Sequence, residues 1–135
     1  MATPKNPTEA ALEDLGEPHE FVIPRENDRD LKFSGWLIAN EQDGQESSGV
    51  TFKTAVSIFA TKGGRIVTAV RRWREKEGKL VSEKHTAGVH VLPYEVIHWL
   101  KSDNQLVLGA LSKRAWVAAC HAYPKLKDEE FEQVE

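Results

Sequence analysis

Apolar and polar residues alternate along the middle of this 135-residue chain. The alternation runs through VTFKTAVSIFA (50–60), RIVTAVRRWRE (65–75) and KLVSEKH (79–85), and the apolar run LKFSGWLIAN (31–40) precedes them. Polar stretches that contain glycine separate the four runs. A period of two with turns between the runs predicts four strands joined as an antiparallel β-meander.

The period changes after residue 92. Pro93 suits the first position of a helix, and Val96 and Leu100 follow at helical spacing. A second apolar stretch, QLVLGALSKRAWVAACHAYP (105–124), is predicted to be mostly helical and to end at Pro124. The predicted fold class is therefore α+β, an antiparallel four-stranded β-meander followed by one or two helices. We also expect a homodimer, because such a sheet leaves a face or an edge to be covered.

Composition divides the chain into three regions. Residues 1–30 contain four of the six prolines and an excess of acid, which predicts a flexible acidic arm. Within the arm, Thr8–Leu15 is compatible with a short helix capped by Thr8. Residues 31–123 hold the predicted strands and helices, and their length suits one domain with one core. Residues 124–135 are predicted to be an acidic tail.

Several classes of protein do not fit the sequence. No apolar run is long enough to cross a bilayer, and the first residues lack the apolar segment of a secretory signal, so we expect a cytoplasmic or nuclear protein. The single cysteine, Cys120, excludes an intramolecular disulfide. The five histidines have no cysteine or paired carboxylate at ligand spacing, so neither a metal nor another cofactor is predicted. We find no enzyme signature and predict no catalysis.

Charge is distributed unevenly along the chain. The net charge is −3, yet residues 50–92 carry nine basic and three acidic side chains. Residues 1–30 carry three basic and eight acidic side chains, and residues 123–135 carry two and five. A basic central block favours a polyanionic partner. The acidic ends either keep the protein soluble or cover the block, and the sequence leaves both alternatives open.

The length of the turn at TKGG decides which side chains share a face of the sheet. A two-residue or four-residue loop would place Lys53 and Phe59 beside Arg72 and Arg74, and it would place Trp73 on the apolar face. A three-residue loop would invert this arrangement. Cations beside a ring suit single-stranded nucleic acid, since cations neutralise phosphates and exposed rings stack on bases.

A plain solvated face is the alternative. If Glu77–Gly78 forms a two-residue turn, Arg72 lies opposite Glu83, and a cross-strand ion pair explains this arginine. Whether Trp73 is exposed or buried in the core also stays open.

The segment VSIFATKGGRIVTAVRRWREKEGKLVSEKHTAGVHVLPYEVIHWLK resembles the single-stranded-DNA-binding domain of the positive-cofactor-four family of transcriptional coactivators. The resemblance covers about residues 53–101. Its motifs are the turn Lys62–Arg65, the aromatic strand Arg71–Arg74, the turn Glu77–Lys79 and the helix opening at Pro93.

The resemblance implies a homodimer whose curved sheets grip two single strands. It implies that Lys62 binds phosphate, that Arg71 is the strand arginine and that Lys84 is the basic residue of the fourth strand. The family's stacking position falls on Trp73 if one residue is inserted between the turn and Arg71, and on Arg74 otherwise. Arg65 would replace the second turn lysine of the family, since Gly64 stands at that position. The family's aromatic residue just before the turn lysine is replaced by Thr61.

FSGWLIAN, TKGGRIV and FEQVE (131–135) also resemble small bacterial proteins of unknown role that are named for a Glu-x-Leu-Asp-Ile motif, which this sequence lacks. This second resemblance implies no activity.

We predict from the sequence a non-catalytic protein whose 31–123 domain binds single-stranded nucleic acid. We expect the partner to be DNA rather than RNA, and we expect a role in transcription or DNA maintenance. The alternative is a protein-interaction or regulatory module whose basic face meets an acidic protein. The predicted nucleic-acid-binding residues are Lys53, Phe59, Lys62, Arg65, Arg71, Arg72, Trp73, Arg74 and Lys84.

Overall fold

The computed structural model describes residue 12 and residues 15–26, 28–105 and 107–128. The elements are five strands followed by three helices: β1 His19–Ile23, β2 Leu31–Ser47, β3 Val50–Thr61, β4 Ile66–Lys76, β5 Lys79–His90, α1 Pro93–Asp103, α2 Ala110–Ala122 and α3 Lys125–Asp128. The predicted α+β class is confirmed. None of these helices is long and apolar enough to cross a membrane.

The strands form one antiparallel sheet in the order β1-β2-β3-β4-β5. The sheet is nearly barrel-like, and the backbone N–H of Glu26, just after β1, donates to the carbonyl of His85 on β5 at 2.9 Å. The predicted strand count of four is wrong, because β1 adds a fifth strand.

β1 lies within residues 1–30, for which the sequence predicts a flexible arm without a strand. The proposed short helix at Thr8–Leu15 falls largely outside the described residues. The core takes in Leu12 and Leu126, which lie on either side of the predicted 31–123 domain. The homodimer stays a prediction.

Turn chemistry sets the register of the sheet. Ser48–Gly49 and Glu77–Gly78 form two-residue turns in which every φ is positive, as hairpins with matched strand twist require. The β3–β4 loop differs, because Thr61 pairs with Arg65 and leaves the three residues 62–64 between them. Thr61 Oγ1 also accepts a hydrogen bond from the Arg65 N–H at 2.8 Å.

This three-residue loop corrects the predicted register. Val56 lies opposite Val70, and Lys53 lies opposite Trp73, so even-numbered residues of β3 face even-numbered residues of β4. The predicted grouping of Lys53 and Phe59 with Arg72 and Arg74 is therefore wrong. A shift of one residue moves every side chain of a strand to the other face.

The three described helices pack against the same face of the sheet, which we call the helix face. Its apolar side chains form the core together with residues of α1, α2 and α3; the buried members include Trp36, Val56, Ile58, Val70, Val96, Leu100, Ala115 and Trp116. The opposite face carries Lys53, Phe59, Val67 and Trp73, which do not belong to that cluster. Two surfaces with separate environments result.

Gly35 on β2 is required by a close backbone approach. A Cβ atom added there would lie 2.1 Å from the carbonyl oxygen of Ala60. No side chain fits at that distance, so glycine is needed where the β2 backbone comes this close to β3.

Candidate nucleic-acid interface

The nine predicted residues fall into three separate groups. Arg72, Arg74 and Lys84 lie on the helix face. The opposite face carries Lys53, Phe59, Arg71 and Trp73. Lys62 and Arg65 lie at the β3–β4 loop. The structure therefore does not bring all nine together in one patch.

The helix-face group is part of a larger set that we call the basic face. Arg72 lies opposite Lys84, and Lys76 lies opposite Lys79, so these pairs share the side of Arg74. The basic face comprises Arg72, Arg74, Lys76, Lys79, Lys84 and the ring of Phe52. Sequence reasoning missed Lys76, Lys79 and Phe52, although the alternate spacing of residues 72, 74 and 76 is visible in the sequence.

Phe52 is the aromatic residue of the basic face, and it is 44% exposed. It lies opposite Arg74, whose guanidinium carbon is 5.6 Å from the ring centroid. Phe59, the predicted stacking ring, is only 5% exposed. Its ring contacts those of Phe21 and Phe33 with centroid separations of 4.9 and 5.3 Å. The prediction that Phe59 is available to stack on a base is therefore wrong.

Trp73 is buried on the opposite face and lies outside the core cluster that the described helices join. Its side chain is held by Glu75, which accepts a hydrogen bond from Nε1 at 2.9 Å, and the Arg71 guanidinium carbon lies 4.1 Å from the ring centroid. Lys53 Nζ is 3.2 Å from the Glu75 carboxylate. The favoured register predicts Trp73 on the core face, and this is wrong. Because Trp73 is buried, it is not open for stacking on a base either.

Carboxylates neutralise the cations of the opposite face. Arg71 Nε donates to Glu83 Oε1 at 2.6 Å, and His85 Nε2 lies 2.6 Å from the same oxygen. The hydrogen bond from Arg71, and then that from His85, hold the pKa of Glu83 below its ordinary value. The pKa of Glu75 is lowered in the same way, first by Trp73 and then by Lys53.

One interpretation of the sequence pairs Arg72 with Glu83, and the structure contradicts it. The register shifts between Arg74 and Glu75, so Trp73 lies opposite Glu83 although Glu77–Gly78 does form the expected two-residue turn. Arg72 Nη2 instead donates to Asp103 Oδ2 at 2.7 Å, at the end of α1.

The remaining cations of the basic face keep their charge available. Among the ion pairs of the described residues, none involves Arg74 or Lys84, and both side chains are exposed. Glu41 and Asp43 lie on neighbouring β2 with their carboxylates 3.8 and 2.7 Å from Arg114. Arg114 offsets one of these two negative charges, and the five cations of the basic face outnumber the carboxylates beside them.

The surface between Phe52, Arg74 and Lys84 forms an open depression of about 410 Å³. Arg65 lies nine residues before Arg74, and nine residues of extended strand span about 30 Å. The loop cations therefore form a separate site from the basic face. Within the part of the chain that the structure describes, no group of three His, Cys, Asp or Glu side chains is placed to hold a metal ion.

No family model, curated protein or solved structure matches this chain. The resemblance to the positive-cofactor-four family therefore depends on the short motifs of residues 53–101 alone and stays a prediction.

Proposed function

We propose that this protein binds single-stranded nucleic acid through the basic face and carries out no reaction there. One observation carries the proposal: five cations share a face with an exposed ring, and the central Arg74 and Lys84 have no carboxylate partner among the described residues. Such free cations gain binding energy when they replace the counterions of a phosphate backbone.

The sheet geometry suits a flexible single strand better than a duplex. Alternate residues of a strand are about 6.8 Å apart and neighbouring strands about 4.8 Å apart, so the cations form a grid that a mobile backbone can follow. Phe52 offers a ring on which an unpaired base can stack, whereas the bases of a duplex are already stacked. The cations of the basic face lie on strands β4 and β5, and none of them is carried by a helix that could enter a major groove.

We further propose DNA as the partner, with a role in transcription or DNA maintenance, on the strength of the family resemblance. A homodimer, which the same resemblance implies, would present two basic faces and raise the affinity for a long strand through multivalency.

A second function is favoured by the burial of Trp73, which leaves Phe52 as the ring available beside the cations. A surface rich in cations and poor in rings also suits an acidic protein segment. The second candidate is therefore a protein-interaction module whose basic face binds an acidic partner.

The test is fluorescence anisotropy with a labelled single strand and a duplex of equal length across a salt series. We expect tighter binding of the single strand. Arg74→Ala with Lys84→Ala should lower the magnitude of the salt slope by about 1.4, since each phosphate contact on a single strand contributes about 0.7. The matched control, Lys113→Ala with Lys127→Ala, removes the same charge from α2 and α3 and should leave the slope unchanged.

Phe52→Ala should weaken binding by about 1 kcal/mol or more with an unchanged salt slope, because stacking is not ionic. Equal or tighter binding of the duplex would refute the preference for single strands. Equal slopes for both double variants would refute the basic face as the site. Binding of poly-glutamate without binding of nucleic acid would identify the interaction module instead.

A further inference from the structure

A second cavity lies at the other end of the sheet, beside the β3–β4 loop. Its volume is about 350 Å³. Its apolar lining comes from Leu31 and Phe33 at the start of β2, Val67 on β4 and Val89 on β5. It shares no lining residue with the basic face. The volume lies near the lower end of the range of small-molecule sites.

The apolar lining leaves hydrocarbon in contact with water. Val89 is 49% exposed, whereas Val67, which lies opposite it on β4, is buried. Phe33 is anchored by Phe21, with a centroid separation of 5.5 Å, and by Phe59. Covering this surface with an apolar ligand group would be favourable by about 25 cal/mol for each Å² removed from water.

The rim of the cavity is cationic. Lys32, Lys62 and Arg65 all line it, and none of the three takes part in the ion pairs recorded between described residues. Among the described residues, the carboxylate recorded in contact with the wall is that of Glu20, which accepts a hydrogen bond from Ser34 Oγ. Three cations against one carboxylate leave the rim with a positive charge that favours an anion.

The loop that carries two of these cations is held in place. The Thr61 N–H donates to the Arg65 carbonyl at 2.9 Å, and Thr61 Oγ1 accepts from the Arg65 N–H at 2.8 Å. The Lys62 N–H donates to the Ser34 carbonyl on β2 at 2.8 Å. A rim that is already ordered loses little conformational entropy when a ligand binds.

We propose that this cavity binds a small organic anion, with an aliphatic body on the apolar lining and a carboxylate against the cationic rim. The aliphatic lining matches a hydrocarbon chain. The separation of about 30 Å from Arg74 makes the site independent of the basic face. The proposal therefore does not rest on nucleic-acid binding.

The test uses the full chain and three probes followed by amide NMR shifts. Octanoate has both the chain and the charge, octylamine has the chain with the opposite charge, and acetate has the charge alone. We expect saturable octanoate shifts at residues 31–34, 61–65, 67 and 89, with weaker binding of octylamine and acetate. Equal affinity for octylamine or for acetate would overturn the proposal.

Variants identify the two halves of the site. Lys62→Gln and Arg65→Gln should each weaken octanoate binding up to about fivefold, the upper end of an exposed ion pair. Val89→Thr keeps the side-chain volume and should weaken octanoate without altering single-strand affinity. Lys84→Gln is the matched control and should leave octanoate binding unchanged. If the three cavity variants bind octanoate as the parent does, the cavity is not the site.

Discussion

Asp103 is expected to hold Arg72 back from a polyanion. Its carboxylate accepts from Arg72 Nη2 at 2.7 Å and from the Thr86 hydroxyl at 2.9 Å, which ties the end of α1 to β4 and β5. The Asp103 side chain is 12% exposed and that of Arg72 is 37% exposed. Asp103→Asn keeps the shape and one acceptor oxygen but removes the charge that competes with phosphate.

Two opposite effects should follow from Asp103→Asn. A hydrogen bond to a charged group contributes about 1.5–3 kcal/mol, and solvent around Arg72 reduces this value. We expect the free energy of unfolding to fall by about 1–2 kcal/mol. The released Arg72 guanidinium should contact phosphate, so that affinity for a single strand rises and the salt slope steepens by about 0.7. Urea unfolding and anisotropy across a salt series measure the two effects.

Asp28→Asn is the matched control, since it removes one carboxylate whose Oδ2 is 3.7 Å from Arg25 in the segment after β1. A general effect of net charge would raise affinity equally in both variants, whereas release of Arg72 steepens the slope only for Asp103→Asn. The steeper slope should also disappear when Arg72→Ala is added. Equal slopes for the two single variants, or an unchanged unfolding free energy, would refute the reasoning.

Two further predictions concern the scaffold. Gly35→Ala should destabilise the fold by about 3 kcal/mol or more, because the new methyl group would meet the Ala60 carbonyl at 2.1 Å. Gly44→Ala, with ordinary contacts of 3.6 Å, should be nearly neutral in urea unfolding, and equal midpoints for the two variants would contradict this. Burial lowers the pKa of His90 below 6.5, and the charge of Glu95 opposes this shift in part. Below pH 6.5 the unfolded chain therefore binds a proton before the folded chain does, so the free energy of unfolding should fall as the pH falls. His90→Gln should show a flatter dependence of unfolding free energy on pH below 6.5, and an unchanged slope would show that other groups cause the acid sensitivity.

Local signals in the sequence were sufficient for most elements. The strands β3, β4 and β5 follow the period-two runs, and α1 begins at Pro93 as predicted. The strand β2 differs, because it continues through residues 41–47, where the sequence predicts a polar stretch between strands. The turn at Glu77–Gly78 was also predictable, since Gly78 supports positive φ at low cost. These features depend on neighbouring residues alone, so a single sequence contains them.

β1 was missed because its stability depends on a distant partner. His19–Ile23 is only five residues long and follows a proline-rich stretch, so its own pattern is weak. It forms by pairing with Leu31–Gly35 and by placing Phe21 against Phe33 and Phe59. Contacts between separate segments do not appear in the local pattern of either segment.

The composition of the candidate interface was the least predictable feature. The sequence determined that residues 50–92 are basic, and it placed Arg72 and Arg74 on one face of the sheet, as the structure does. It did not place Lys84 on that face. It did not determine the loop length between β3 and β4, which the hydrogen bond from the Arg65 N–H to Thr61 Oγ1 helps to set. One residue of loop length exchanges Phe59 for Phe52 beside the cations.

The sequence by itself determined the order of the elements and the position of the basic block, because both follow from local pattern and composition. Only the tertiary structure decided which cations keep a free charge. Asp103 lies 31 residues from Arg72 and neutralises it across the fold, while Arg74 and Lys84 have no such partner among the described residues. A pairing between distant segments depends on packing geometry, which a linear pattern of residues does not specify.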